Sequence, residues 1–296
     1  MGRKTVFRSL LSPAKINLYL RVGRKRRDGF HEIETLMARL AWGDRISINI
    51  QQSSATKIRL HCEQLKVPPE ENLVYRAAEM FSKRMTTFFE AEIFLLKEIP
   101  SGAGLAGGSS NAATTLLALL QWYEGIVGKR KGHWAQVQEM ASELGSDVGF
   151  FLESESGAWC SGRGEICRPI ELPSWPVVVA WPTKLRISTA EAYRAMKRGE
   201  KPKGFRLSGA PSWMGEIGRI QFPEFRNDFE DWALERYSEL RRLKRDFCLS
   251  AALTGGMTGS GSAFFGLYPD LVSARHGSQE LLAKGWPSVQ TRIGTS

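Results

Sequence analysis

The sequence predicts an α+β protein in two domains. Three observations carry the prediction: strand-like alternation fills the first third, helical periodicity takes over after a glycine-rich turn near residue 105, and strands and helices alternate again beyond Gly157. A chain of 296 residues is long enough for one large or two ordinary domains, each with its own core. The boundary is expected near Gly157.

In SPAKINLYLRV, residues Ile16, Leu18, Leu20 and Val22 alternate with Lys15, Asn17, Tyr19 and Arg21, the period of a strand with one buried face. Lys15 and Asn17 then share the outward face. DRISINI and TKIRLHC repeat the alternation, and AEIFLLKEI is apolar enough to predict a more buried strand. A helix is expected from Asn72 to Arg84, with Leu73, Ala77, Met80 and Phe81 on one side. After the glycine turn, Ser109 or Ser110 can cap a helix whose stripe is Ala112, Ala113, Leu116, Leu117 and Leu120. HWAQVQEMASELG predicts a second helix, with Trp134, Val137, Met140, Ala141 and Leu144 buried and a stop at Gly145. Asp147 follows that stop.

GAWCSGRGEICRPI and PVVVAWP read as strands, and STAEAYRAMKRG as a short helix with a Ser/Thr cap. The Gly/Pro-rich basic stretch from Gly199 to Pro223 reads as a loop. The tail predicts a helix over 228–246, strands CLSAALTGG and SAFFGLY, a helix to Gly285 and a final strand.

Composition bounds the function. The chain is 42% hydrophobic and 24% charged, as in a soluble globular protein, and it has no apolar run of membrane-spanning length. The segment MGRKTVFRSLLSPAK lacks the apolar core and cleavage site of a secretory signal, so a cytoplasmic location is expected. Cys62, Cys160, Cys167 and Cys248 show no CxxC spacing, and free thiols are expected. His31, His61, His133 and His276 form no metal pattern. The balance of 41 Lys plus Arg against 31 Asp plus Glu gives +10, which favours anionic ligands. The runs at 24–27 and 241–245 are either solvated faces or nucleic-acid patches.

The stretch PSGAGLAGGSSNAATTLLALLQWY raises the chemical question. Glycines that open a helix leave N–H groups at the positive end of its dipole, a seat for phosphate; a tight turn is the alternative. GAGLAG fits GxGxxG, but Glu124 ends a helical run where a dinucleotide site needs a second strand with an acidic end. Gly102 and Gly107 have Walker A spacing, but Gly108 stands where the lysine belongs. A third class remains, in which a lysine from a distant strand approaches the phosphates. Lys15 is the obvious donor, and an exposed strand lysine is the other reading. LTGGMTGSGSAFF adds Gly255, Gly256, Gly259 and Gly261 with Thr258, Ser260 and Ser262, in a setting that marks either close approach to a ligand or a bulge. Two such loops suggest one phosphate-lined cleft.

SPAKINLYL, PSGAGLAGGSSNAA and GGMTGSGSAFF, in this order, resemble the three motifs of the GHMP kinases. RRDGFHEIETL, ENLVYRAA, LGSDVGFFL, GRGE, ISTAEAY and RNDFE narrow the resemblance to the branch acting on 4-diphosphocytidyl-2-C-methyl-D-erythritol, over about residues 11–268. That resemblance implies an N-terminal α/β domain (1–157) bearing the phosphate loop and a smaller α+β C-terminal domain (158–296). It implies ATP-dependent phosphorylation of the substrate's 2-hydroxyl in the non-mevalonate isoprenoid route, with Mg2+ carried by the nucleotide and neither nucleic acid nor membrane as partner. Pro100, Ser101, Gly102, Ala103, Gly104, Leu105, Ala106, Gly107, Gly108, Ser109 and Ser110 become the ATP phosphate loop. Asn72 and Lys97 fall by the adenosine, with a helix-terminal residue and a solvent-facing lysine as their plain readings. Asp147 matches the catalytic aspartate and Lys15 the catalytic lysine; a helix-ending or salt-bridging aspartate is the plain alternative. His31 would bond the cytosine, Asn17 and Thr189 would position substrate, and Phe30 with Tyr193 would sandwich the base. Phe30 stands where tyrosine is frequent, which keeps the stacking and removes the phenol; Ala106 stands where glycine is frequent. Another GHMP kinase and a nucleic-acid-binding protein are the rival functions.

Overall fold

The computed structural model describes residues 5–64, 67–196 and 225–294. The stretch from Gly199 to Pro223, read as a loop, lies outside the described residues. The chain divides into two units. One comprises Met1–Ala14, Trp42–Pro100 and Ala106–Ser154, and the other Lys15–Ala41, Ser101–Leu105 and Glu155–Ser296. Two long strands, β1 (Thr5–Lys25) and β2 (His31–Gln52), pass from one unit into the other.

In the first unit the end of β2 pairs antiparallel with β4 (Phe89–Leu96), and β4 pairs in parallel with the edge strand β3 (Lys57–His61). Ile46, Ile48 and Ile50 are fully buried, the period-two pattern that DRISINI predicts. Burying each such side chain stabilises by about 1.5–3 kcal/mol. β4 was expected to be buried more completely. It is half-buried instead, with Phe89, Ala91, Ile93 and Leu95 inward and Phe94 and Leu96 outward, because helices cover only one face.

Those helices are α1 (Leu73–Arg84), α2 (Gly107–Val127) and α3 (Lys131–Leu144), which pack on one another. Asn72 caps α1 by accepting from Val74 N at 3.0 Å. The stripe of α2 is buried at Ala112, Ala113, Leu116, Leu119 and Leu120, and Leu117 lies at its margin. Val137, Met140, Ala141 and Leu144 of α3 are buried as expected, while Trp134 is half-buried.

In the second unit β7 (Pro176–Ala180), β9 (Thr254–Met257), β10 (Phe264–Leu267) and β11 (Ser288–Arg292) form an antiparallel sheet in the order β11-β7-β10-β9. Against it pack α6 (Ser238–Cys248) and α7 (Leu271–Ala283), while α4 (Thr189–Ala195) and α5 (Glu230–Arg236) extend the helical layer. Phe229, Phe247, Met257, Phe264, Tyr268 and Trp286 fill this core. The hairpin of β5 (Gly157–Ser161) and β6 (Ile166–Ile170) pairs with β2, and the short β8 (Arg226–Asn227) pairs in parallel with β1.

Five expectations are corrected. Lys15 and Asn17 are 4% and 3% exposed, so β1 is buried on both faces around them. The helix expected over 228–246 is two helices, because the backbone at Tyr237 is extended (φ −118°, ψ 106°). CLSAALTGG is strand only from Thr254; Cys248 ends α6 and Ala251 turns the chain at φ 59°. Ser109 and Ser110 lie inside the first turn of α2, with Ala106 at the cap. Finally, Cys160 and Cys167 stand opposite each other across the β5–β6 hairpin and form a disulfide, leaving Cys62 and Cys248 as free thiols.

Candidate active site

The glycine loop departs from ordinary turn geometry. Every second residue from Gly102 to Ala106 has positive φ, with values of 71°, 79° and 55° at Gly102, Gly104 and Ala106. Such alternation gathers successive N–H groups into a concavity suited to an anion. The loop's carbonyls are committed to the protein instead: Ala103 O accepts from Ala263 N at 3.1 Å, Leu105 O from Lys15 N at 3.2 Å, and Gly104 O from the Thr258 hydroxyl at 3.4 Å. Among the described residues, no N–H from Gly102 to Ser109 donates to a protein group, and no side chain caps α2. The donors of the loop and of the first helical turn therefore suit a phosphate chain. Ala106 meets the left-handed requirement despite its methyl, as the cap of α2.

In the first unit a buried polar cluster frames the start of α2. Asp44, fully buried, accepts from Glu98 N and Ile99 N at 2.8 Å each through Oδ1. Its Oδ2 receives the Lys97 ammonium and Asn111 Nδ2, the latter at 2.9 Å. Asn111 also donates to Ser12 Oγ at 2.8 Å, and Ser12 Oγ donates to Ser110 Oγ at 2.8 Å. Lys97 is thus neither on the strand nor solvent-facing; its side chain is 8% exposed and bound to a carboxylate beside Gly107. A buried ion pair tolerates loss of neither partner alone, which makes this cluster a rigid frame. The same unit places Leu73, next to Asn72, against Gly108, and Ser109 Oγ against the Gly145 turn that carries Asp147. Asp147 is half-buried there, between α3 and the 3-10 turn Gly149–Leu152.

In the second unit the Lys15 ammonium donates to Asn17 Oδ1 at 2.7 Å. Asn17 is held on all sides: Oδ1 also accepts from Gly259 N at 2.9 Å and Thr258 Oγ1 at 3.2 Å, while Nδ2 donates to Thr35 Oγ1 at 2.8 Å. Asn17 therefore orients Lys15 within a network of amides and hydroxyls. Asn227 and Glu230 of RNDFE fix the strand behind it. Asn227 Nδ2 donates to Met257 O and Gly259 O at 2.6 and 2.9 Å, and Glu230 Oε2 accepts from Met257 N at 2.7 Å.

His31, the first residue of β2, stacks on Tyr193 with centroids 5.2 Å apart. Burial, with Lys25 adding to it, holds its imidazole below its usual pKa and keeps the ring neutral. Tyr193 is braced edge-on by Phe229. Phe30 is 51% exposed, with the Arg163 guanidinium 4.8 Å from its ring centre. Thr189, exposed at the start of α4, shares a 3.0 Å hydrogen bond with Ser260. The structure thus brings His31 together with Tyr193, and pairs Phe30 with Arg163.

Asp44, Ser12, Asn111, Thr35, Thr258 and Asn227 carry these arrangements without having been singled out from sequence for those roles. Asn227 lies in a motif that carried the resemblance; Asp44 sits in an ordinary strand pattern that gives no signal. Basic residues at 24–27 and 241–245 are partly spent locally: Arg26 pairs with Asp28 and Glu32, Lys244 with Glu230, and Arg242 stacks on Trp286.

The model of the GHMP kinases N terminal domain matches residues 72–154. A 4-diphosphocytidyl-2-C-methyl-D-erythritol kinase of Chlorobium luteolum is 35% identical over 295 residues, covering 96% of each chain. A chloroplastic enzyme of the same name from Oryza sativa is 37% identical over 268 residues, 88% of this chain and 64% of that one. The crystal structure of a 4-(cytidine 5'-diphospho)-2C-methyl-D-erythritol kinase matches with a TM-score of 0.80 at 33% identity, over 98% of this chain and 100% of that one. Mevalonate kinase of Methanococcus jannaschii, at a TM-score of 0.63 and 13% identity, shares the fold. With similarity of this extent spanning almost the whole chain, the protein belongs to the 4-diphosphocytidyl-2-C-methyl-D-erythritol kinase family of the GHMP kinases.

Proposed function

We propose that the protein transfers a phosphoryl group from ATP to the 2-hydroxyl of 4-diphosphocytidyl-2-C-methyl-D-erythritol, a step of non-mevalonate isoprenoid precursor synthesis. The family relationship at 35% identity over 96% of the chain carries the reading, and the unsatisfied amides of Gly102–Ser109 support it physically. ATP, bound with Mg2+, supplies the phosphoryl group. The loop Pro100–Ser110 holds its phosphates by main-chain N–H groups, with Asn72 and Lys97 toward the adenosine end.

Asp147 accepts a hydrogen bond from the acceptor hydroxyl and then its proton, a role commonly worth about 10²–10⁴-fold. Lys15, oriented by Asn17, stabilises the negative charge on the equatorial oxygens during transfer. His31 reads the cytosine edge as a neutral imidazole. Phe30 and Tyr193 supply aromatic faces to the base, and Thr189 lies toward the polyol. None of the described helices is long and apolar enough to cross a membrane, and we place the enzyme in the cytoplasm.

A coupled ADP-release assay tests the function. Turnover is expected on the cytidylylated polyol and not on the free polyol or on cytidine diphosphate alone; turnover on a mevalonate-type or sugar alcohol in its place would move the protein to another branch. Asp147→Asn is expected to bind ATP and to lose turnover by about 10²–10⁴-fold. Retention of substantial turnover removes Asp147 from the mechanism.

A further inference from the structure

One cation stands against the glycine loop without a role so far. Arg186 is exposed, and its Cβ, Cγ and Cδ lie 3.8–3.9 Å from where a side chain on Gly102 would begin. Its aliphatic stem therefore runs alongside the loop, at a distance that leaves room for a methyl group at Gly102. The backbone that presents Arg186 is fixed on both sides. Ser262 Oγ donates to Leu185 O at 2.8 Å, and Ile187 is 4% exposed, packed in the core near Gly261. Among the described residues no carboxylate pairs with Arg186, unlike Lys97 nearby in sequence to the same loop, whose charge is consumed by Asp44. A guanidinium held at its stem by a rigid segment loses little freedom when it closes on phosphate oxygens, and its fork of N–H donors matches them.

We infer that Arg186 is a phosphate-contacting residue of the phosphoryl transfer, clamping the nucleotide's phosphates against Gly102 from the side opposite the loop's own amides. The inference rests on the reading of Pro100–Ser110 as the ATP phosphate loop. Two phosphate chains enter the reaction, those of ATP and the diphosphate of the cytidylylated polyol. The position of the stem beside Gly102 assigns Arg186 to ATP.

The test is steady-state kinetics of Arg186→Met, which keeps the stem and removes the charge, beside Arg186→Lys. Arg186→Met is expected to raise the KM for ATP tenfold or more and to lower kcat, with the KM for the cytidylylated polyol within twofold of wild type and the melting temperature unchanged. Arg186→Lys is expected to recover part of the loss, since it restores charge without the fork. Unchanged ATP kinetics, or a rise in KM confined to the cytidylylated polyol, overturns the assignment. Amide hydrogen exchange of the wild type separates this from the loop reading. ATP should protect residues 101–110, and absence of that protection sinks the loop reading and the clamp together. Protection combined with unchanged Arg186→Met kinetics sinks the clamp alone.

Discussion

The two glycine-rich segments, residues 100–110 and 255–261, look alike as letters and differ in what their glycines do. In the first, Gly102 and Gly104 provide positive φ in an alternating turn whose N–H groups are left for a ligand, and Gly102 has room beside it. In the second, glycine is demanded by the protein's own bulk. A side chain at Gly255 would run into the Phe265 carbonyl and Gly266 Cα of the neighbouring strand, one at Gly259 would press on the Gly104 backbone, and one at Gly261 would meet Met257. Even Gly104 answers to this packing, since a methyl there would collide with the Thr258 carbonyl. The sequence reading gave the first segment to phosphate and left the second between close approach to a ligand and a bulge, with one shared phosphate-lined cleft suggested. In the structure the glycines of the second segment serve close backbone packing that supports the first.

If that contrast holds, substitutions in the second segment should damage folding and those in the first should damage nucleotide binding. The largest stability effect is expected at Gly255→Ala, where the obstruction is backbone that cannot swing away. A loss of about 2–3 kcal/mol in urea unfolding is expected, with the KM for ATP of the folded fraction unchanged. A tenfold rise in that KM without loss of stability would erase the distinction. Gly102→Ala should cost less, about 1–2 kcal/mol from placing an L-residue in the left-handed region, because space is available. Its main signature is a several-fold higher KM for ATP, and an unchanged KM would make the first segment another packing turn.

The smallest effect sharpens the comparison from a region belonging to neither segment. Burial holds His31 below the usual imidazole value of about 6.5, so the folded protein binds fewer protons than the unfolded chain between the two values. Stability should therefore rise with pH through that window and be flat above it. The KM for the cytidylylated polyol should be constant above about pH 6.5 and increase below it as the ring is protonated. Abolition of the acid limb by His31→Gln, with ATP kinetics untouched, would tie it to the base end; an acid limb that persists in that variant would not.

Much of this was legible. The isoleucines of β2, the stripe of α2 and the stop of α3 at Gly145 follow local rules of period and punctuation, and such rules act over a few residues. Motif order was enough to name the family. Misreadings came where distant parts decide. Cys160 meets Cys167 because the hairpin register sets them opposite each other. Lys97 carries no sign, in its own neighbourhood, of the carboxylate 53 residues away.

The sequence by itself determined much of the element order, the glycine turn opening a helix, and the family, because each is written in spacing along the chain. Only the tertiary structure decided which polar groups are used up and which remain. Asp44 consumes Lys97, Asn17 aims Lys15, and the loop's carbonyls are occupied while its amides are not. That division depends on hydrogen bonds between residues 241 positions apart, as with Asn17 and Thr258. No local pattern encodes such pairings, because burial creates the demand for a partner and folding alone determines which partner is near.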